Sequence, residues 1–152
     1  MKKLLFLFFG VFTLFVNAQF SSADGIVEFS KNNYSEKKAK LIKNGWKKNY
    51  VEPISGLESV EFVKVVNGVK HDIIIRSGVM PTSRKIINST ILYVPKSKIV
   101  EKYLDGFEAK YNFKMIAENV IGYSEKGFSI TISLGTDDDG SPLHEIKIIN
   151  TK

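Results

Sequence analysis

Glu58 to Val66 and Val69 to Ser77 are runs rich in β-branched and aromatic residues, and Asn67-Gly68 stands between them. Asn-Gly is the pair best suited to a two-residue type I′ turn, so the pattern predicts a β-hairpin. Pairing around that turn sets Val66 against Val69, Lys64 against His71, Phe62 against Ile73 and Val60 against Ile75. These residues make one face, apolar except where Lys64 meets His71. The opposite face mixes Glu61, Lys70, Asp72 and Arg76 with Val63, Val65 and Ile74. One buried and one mixed face is what an antiparallel sheet covered on one side requires.

The period changes to helical in two places. From Ser35 onward Ala39, Ile42 and Trp46 fall at i, i+3 and i+7, with Leu41 beside them, and Gly45 is placed to end the helix in a left-handed residue that lets Trp46 touch Leu41. The second helix has Ser97 as its cap and a stripe of Val100, Leu104, Phe107 and Tyr111, flanked by Ile99 and Tyr103 and interrupted by Gly106. A strand at Lys85 to Val94, stopped by Pro95, lies between the hairpin and this helix. Three more strands follow it, at about Phe113–Tyr123, Phe128–Leu134 and His144–Asn150. Residues 19–33 read as polar and loose, with Ile26 to Phe29 as a short edge strand.

The order is helix and three strands, twice, in units of about sixty residues. The expected fold is α+β: an antiparallel six-stranded sheet with two helices on one face, arranged as a tandem helix-plus-three-strand repeat. In element order alone this layout is similar to small secreted inhibitor and binding proteins of the β-lactamase-inhibitor type.

The N-terminus reads differently. Met1-Lys2-Lys3 is followed by an apolar run from Leu4 to Val16, too short at roughly 20 Å to cross a ~30 Å hydrocarbon core. Val16-Asn17-Ala18 supplies a small-residue exit. Residues 1–18 are therefore expected to be a secretory signal peptide, removed to leave a single α+β domain over 19–152. The expected location is periplasmic or extracellular, without a membrane anchor after cleavage.

Composition then removes whole classes of chemistry. The chain has no cysteine, which excludes disulfides, thiolate metal sites and cysteine nucleophiles. Its charge is +6 and uneven, with seven lysines and one acid between Lys31 and Lys48. Only Arg76 and Arg84 are arginine, a poor match to the bidentate contacts of nucleic-acid readers, so no nucleic-acid partner is expected.

Candidate chemistry is thin. Gly122-Tyr123-Ser124-Glu125-Lys126-Gly127 has one residue too many for a nucleophile elbow and joins two predicted strands. His71 and His144 lie in different halves without helical-spacing partners. Asp137-Asp138-Asp139-Gly140 fails the EF-hand spacing and reads as a solvated hairpin tip, with calcium binding left open. No catalytic residue, metal ligand or cofactor is assigned. The expectation is a small exported binding protein that is not an enzyme and recognises another protein, as an inhibitor or immunity-type factor does. Arg76, Met80 and Arg84, which bracket or lie in one loop, are the candidate partner contacts. The alternative is a carrier of a small apolar ligand between helices and sheet, in a pocket lined by Trp46, Phe62, Ile73, Leu104 and Phe107. An enzyme built from scattered carboxylates stands behind both.

Overall fold

The computed structural model describes residues 20, 22–50, 54, 56–66, 68–80, 83–95, 98–137 and 139–151. Residues 1–18, expected from the sequence to be a signal peptide, and Asn67, Ser97 and Asp138 lie outside the described residues.

Three helices and eight strands are described: α1 (Ala23–Lys31), α2 (Tyr34–Lys43), β1 (Lys47–Asn49), β2 (Leu57–Val66), β3 (Val69–Val79), β4 (Ile86–Pro95), α3 (Lys98–Glu108), β5 (Lys114–Ala117), β6 (Val120–Glu125), β7 (Phe128–Thr136) and β8 (Pro142–Thr151). The strands form one antiparallel sheet in the order β1-β2-β3-β4-β8-β7-β6-β5. Each half is a four-stranded meander, and the last strands of the halves, β4 and β8, pair at the centre.

The six-stranded sheet of the sequence reading is therefore wrong by two strands. The run Phe113–Tyr123 is two strands folded back at Glu118-Asn119, where Asn119 takes a left-handed conformation (φ 58°). Asn tolerates that region better than most residues, but without glycine or proline the turn was hidden inside an apolar run. The other missed strand, β1, has only three residues, all exposed and polar, with no alternation to read. Each half thus contributes four strands, preceded by two helices in the first half and by one in the second.

The helices are also three, not two. Residues 23–31 form α1, where a loose segment and an edge strand were expected. Ala23, Ile26, Val27 and Ser30 are buried at i, i+3, i+4 and i+7, a helical stripe disguised by its β-branched residues. Ser22 caps it by accepting from the Gly25 amide at 3.2 Å, and Asp24 and Lys31 lie at the ends the helix dipole favours.

The expected face of α2 is rotated. Ala39 and Ile42 are exposed, while Lys37 and Leu41 are buried. A capping box between Asn33 and Glu36 begins this helix. Its ending follows the sequence: the Gly45 amide donates to Ile42 O and the Trp46 amide to Leu41 O, both at 3.0 Å, with Gly45 at φ 78°. This is a Schellman ending with Trp46 and Leu41 both in the core.

The hairpin registers of β2 and β3 are those read from the Asn-Gly turn, through Val66↔Val69, Lys64↔His71, Phe62↔Ile73 and Val60↔Ile75. The helix-facing side of the sheet then carries Phe62, Ile73, Leu92, Ile146 and Ile132 in one cross-strand row and Val60, Ile75, Thr90, Ile148 and Ile130 in the next. Ile26 and Phe29 of α1, Leu41 of α2 and Tyr103 and Phe107 of α3 close over them as a single apolar cluster. All three helices pack on this one face.

Gly106 explains how α1 and α3 approach. A Cβ at Gly106 would stand 3.1 Å from the Ala23 Cβ, so the stripe of α3 is interrupted where the other helix crosses it. Lys110 and Asp24 pair across the same contact. Gly106→Val should destabilise the protein by about 2 kcal/mol through overpacking, whereas Gly106→Ala should change little because about 1 kcal/mol of helix propensity offsets the crowding. Thermal unfolding of both variants checks this; equal midpoints for Val and wild type would mean that the helices do not meet there.

Candidate functional site

The side of the sheet turned away from the helices is the larger open feature. Cross-strand registers place Glu61, Ile74, Ile91, Lys147, Thr131 and Gly122 in one row of that face. A second row holds Val63, Asp72, Tyr93, Glu145 and Ser133, and a third Ser59, Arg76, Ser89, Ile149 and Ser129. Ile74, Ile91 and Ser89 are buried at its centre, and among the described residues no helix packs on it.

Polar contacts organise the middle. Tyr93 faces Glu145 across β4 and β8, and burial, with that carboxylate beside it, pushes its pKa up to about 12. The phenol therefore stays protonated at any physiological pH and serves as a donor. Arg76 is half-buried and donates from Nε to Ser59 Oγ at 3.2 Å. Lys70 pairs with Asp72 at 2.9 Å, leaving Asp72 Oδ1 buried with no hydrogen-bond partner. Asn49 donates to Glu61 at 2.6 Å.

Toward the β5 end the face sinks into an open groove of about 430 Å³, lined among others by Asn112, Lys114, Ile116, Gly122, Ser124, Ser129 and Thr131. Its floor exists because β6 and β7 present glycine, serine and threonine there. The edge strand β5 itself exposes Met115 and Ile116. Its short length, its Lys114 and the register shift between Met115 and Ala117 are devices that discourage edge-to-edge pairing.

The sequence-derived candidates fall in separate places. Arg76 is on the open face. Met80 and Arg84 sit in the β3–β4 hairpin, roughly 13 Å further along the strand, where the Arg84 amide donates to Met80 O at 2.9 Å and Arg84 adopts φ 53°. Trp46, Phe62, Ile73 and Phe107 are buried members of the core cluster and Leu104 packs against it. The described groove lies on the other side of the sheet from these five.

The histidines come closer than their sequence separation suggests. His71 immediately precedes Asp72, the partner of Tyr93, and His144 pairs with Val94, so they lie two strands apart at one end of the sheet. Burial lowers the His71 pKa, with Asp72 opposing the shift and Lys64 adding to it. No group of three metal-ligating side chains occurs among the described residues. In the acidic tip, Asp139 accepts from the Ser141 amide at 2.8 Å, and this bond holds its pKa down.

One residue was missed entirely by sequence reasoning. Lys37, counted there in a solvated basic stretch, is 0% exposed. Its Nζ donates to Asn88 Oδ1 at 2.7 Å, and among the described residues it has no carboxylate partner. Asn88 passes its other end to Asn32 O at 2.8 Å, while Asn150, paired with Asn88 across β4 and β8, donates to Ser30 O at 3.1 Å. Two sheet asparagines thus bind the backbone where α1 ends. Thr90, two residues from Asn88 on the same face, is buried with Oγ1 unpartnered. Only the i, i+4 spacing of Lys37 with Leu41 could have signalled the inward turn.

Burial lowers the Lys37 pKa from 10.5 to about 7. The folded-state value is below the unfolded one, so between about pH 7 and 10.5 the unfolded chain holds a proton that the native state lacks. Stability must then rise with pH across that window, and below pH 7 the full cost of the buried charge, several kcal/mol, is present. His71 adds a slope of the same sign below pH 6.5. Denaturant unfolding of Lys37→Met should lose the rise between pH 7 and 9.5 and show greater stability than wild type at pH 6. A flat wild-type profile over pH 7 to 9.5 would refute the buried-ammonium account.

Comparison of the chain with protein-family models, curated proteins and solved structures finds no match. No described helix is long and apolar enough to cross a membrane.

Proposed function

We propose that this is a small exported protein without a catalytic centre, which binds another protein through the helix-free face of its sheet, in the manner of an inhibitor or immunity-type factor. The observation that carries the reading is the division of the sheet. One face is consumed by the helices and the core; the other is left open with Tyr93 and Arg76 half-buried over an apolar floor of Ile74 and Ile91. Tyrosine and arginine are among the residues that most often dominate protein interfaces, and here Arg76 is held by its bond to Ser59 and both side chains are half-buried, which limits the rotamer freedom to be lost on binding. The charges around them are of both signs, which suits orientation and partner choice. Export is supported by the basic start, apolar run and small-residue exit of residues 1–18.

Native mass spectrometry of the protein from its own exported fraction should detect a co-purifying protein mass. Tyr93→Ala and Arg76→Ala should each weaken that complex about tenfold or more, while Lys38→Ala on α2 should leave it unchanged. A small adduct released on denaturation, with no protein partner, would overturn the reading in favour of a carrier. So would a complex indifferent to both face substitutions.

A further inference from the structure

We propose that the groove at the β5 end of the open face receives a carboxylate from an acidic segment of the partner protein. This rests on the recognition reading and adds the chemistry of what is recognised. The cross-strand registers set Lys147 against Thr131, Thr131 against Gly122, and Gly122 against Lys114. Lys114 therefore lines the groove on one side, and Lys147 stands beside its lining residue Thr131 on the other, with Cα atoms about 14 Å apart across three strand spacings. Between them the floor is formed by Gly122 and Thr131, and the Ile116 side chain lies over Gly122. Gly122 leaves the space, and a Cβ there would already meet Ile116 Cδ1 at 3.0 Å.

The lining combines apolar surface from Ile116, Tyr123 and Ile130 with polar groups that are chemically one-sided. Ser124, Ser129 and Thr131 supply hydroxyls, Asn112 an amide and Lys114 an ammonium, and no carboxylate lines the groove. Among the described residues neither Lys114 nor Lys147 takes part in an ion pair. Hydroxyl and amide donors between two uncommitted ammonium groups complement an anion, and a carboxylate can accept from several of them at once. The carboxylate nearest in the rows, Glu145, stands between Tyr93 and Ser133 in the neighbouring row. The groove is also continuous with the face that holds Tyr93 and Arg76, since Lys147 stands one strand from Ile91. A polypeptide lying across the face can thus place an acidic side chain in the groove while apolar contacts form at the centre. Lys40, Lys43, Lys47 and Lys48 of α2 and β1 are exposed and lie outside the lining of the groove.

The test is an amide-resolved NMR titration of the protein with acetylated, amidated hexaglutamate at low salt. The amides of Gly122, Ser124, Ser129 and Thr131 should shift saturably. Lys114→Gln and Lys147→Gln should each weaken binding about threefold, and the double variant about tenfold; both positions lie outside the core, and circular dichroism confirms that the variants fold. Hexalysine should leave these amides unmoved. Affinities unchanged in both variants, or shifts confined to Lys38, Lys40, Lys43, Lys47 and Lys48, would overturn the proposal. Sodium glutamate binding equally well at matched carboxylate concentration would overturn it too, by making the ligand a free small acid. If hexaglutamate fails while Tyr93→Ala still weakens the partner complex, recognition stands and only the acidic assignment falls.

Discussion

The pairing of β4 with β8 is the constraint on which the rest of the structure depends. These strands close the two meanders and meet over nine residue pairs, from Ile87↔Thr151 to Pro95↔Leu143. Without that ladder each half would be a four-stranded sheet with half a core. With it, Leu92 and Ile146 become neighbours in one row and Thr90 and Ile148 in the next, so that a continuous apolar floor spans the chain. The three helices then share one surface to bury against. Their crowding onto it leaves the other face open.

The same ladder builds the polar knot beneath the helices. Asn88 and Asn150 face each other across it and capture the end of α1, and Asn88 also receives Lys37. A lysine buried against an amide, with no carboxylate, is a costly choice in a protein interior. It offsets part of that cost by giving up its proton near neutral pH. The amide cannot be satisfied in this way by a shifted helix or a slipped strand, so the knot ties the position of α1 and α2 to the register of the central pair.

On the open face the ladder has a different consequence. Tyr93 and Glu145 come from separate halves and stand side by side at the centre. Lys147 is carried to the flank of a groove whose floor belongs to β6 and β7. Neither unit exists in a half-molecule. The chemistry of this face is a mosaic of donors and acceptors carried on neighbouring strands.

Local patterns in the sequence were sufficient for the parts that depend on nearest neighbours. The β2–β3 hairpin and its register follow from Asn67-Gly68 and period-two alternation, and the Schellman ending follows from Gly45 and Trp46. The absence of cysteine chemistry is equally a property of the chain alone. Elements with weak local signatures were lost: α1, whose Ile26 and Val27 imitate a strand, and the β5–β6 turn, which relies on Asn119 rather than glycine. The site was less legible still. Arg76 was singled out, but Tyr93, Glu145, Lys147 and Lys37 were not, because each takes its meaning from a partner across strands or from another half of the chain. Alternation says that a residue lies on one face or the other; which face the helices cover, and which strands stand side by side, is decided only when β4 finds β8.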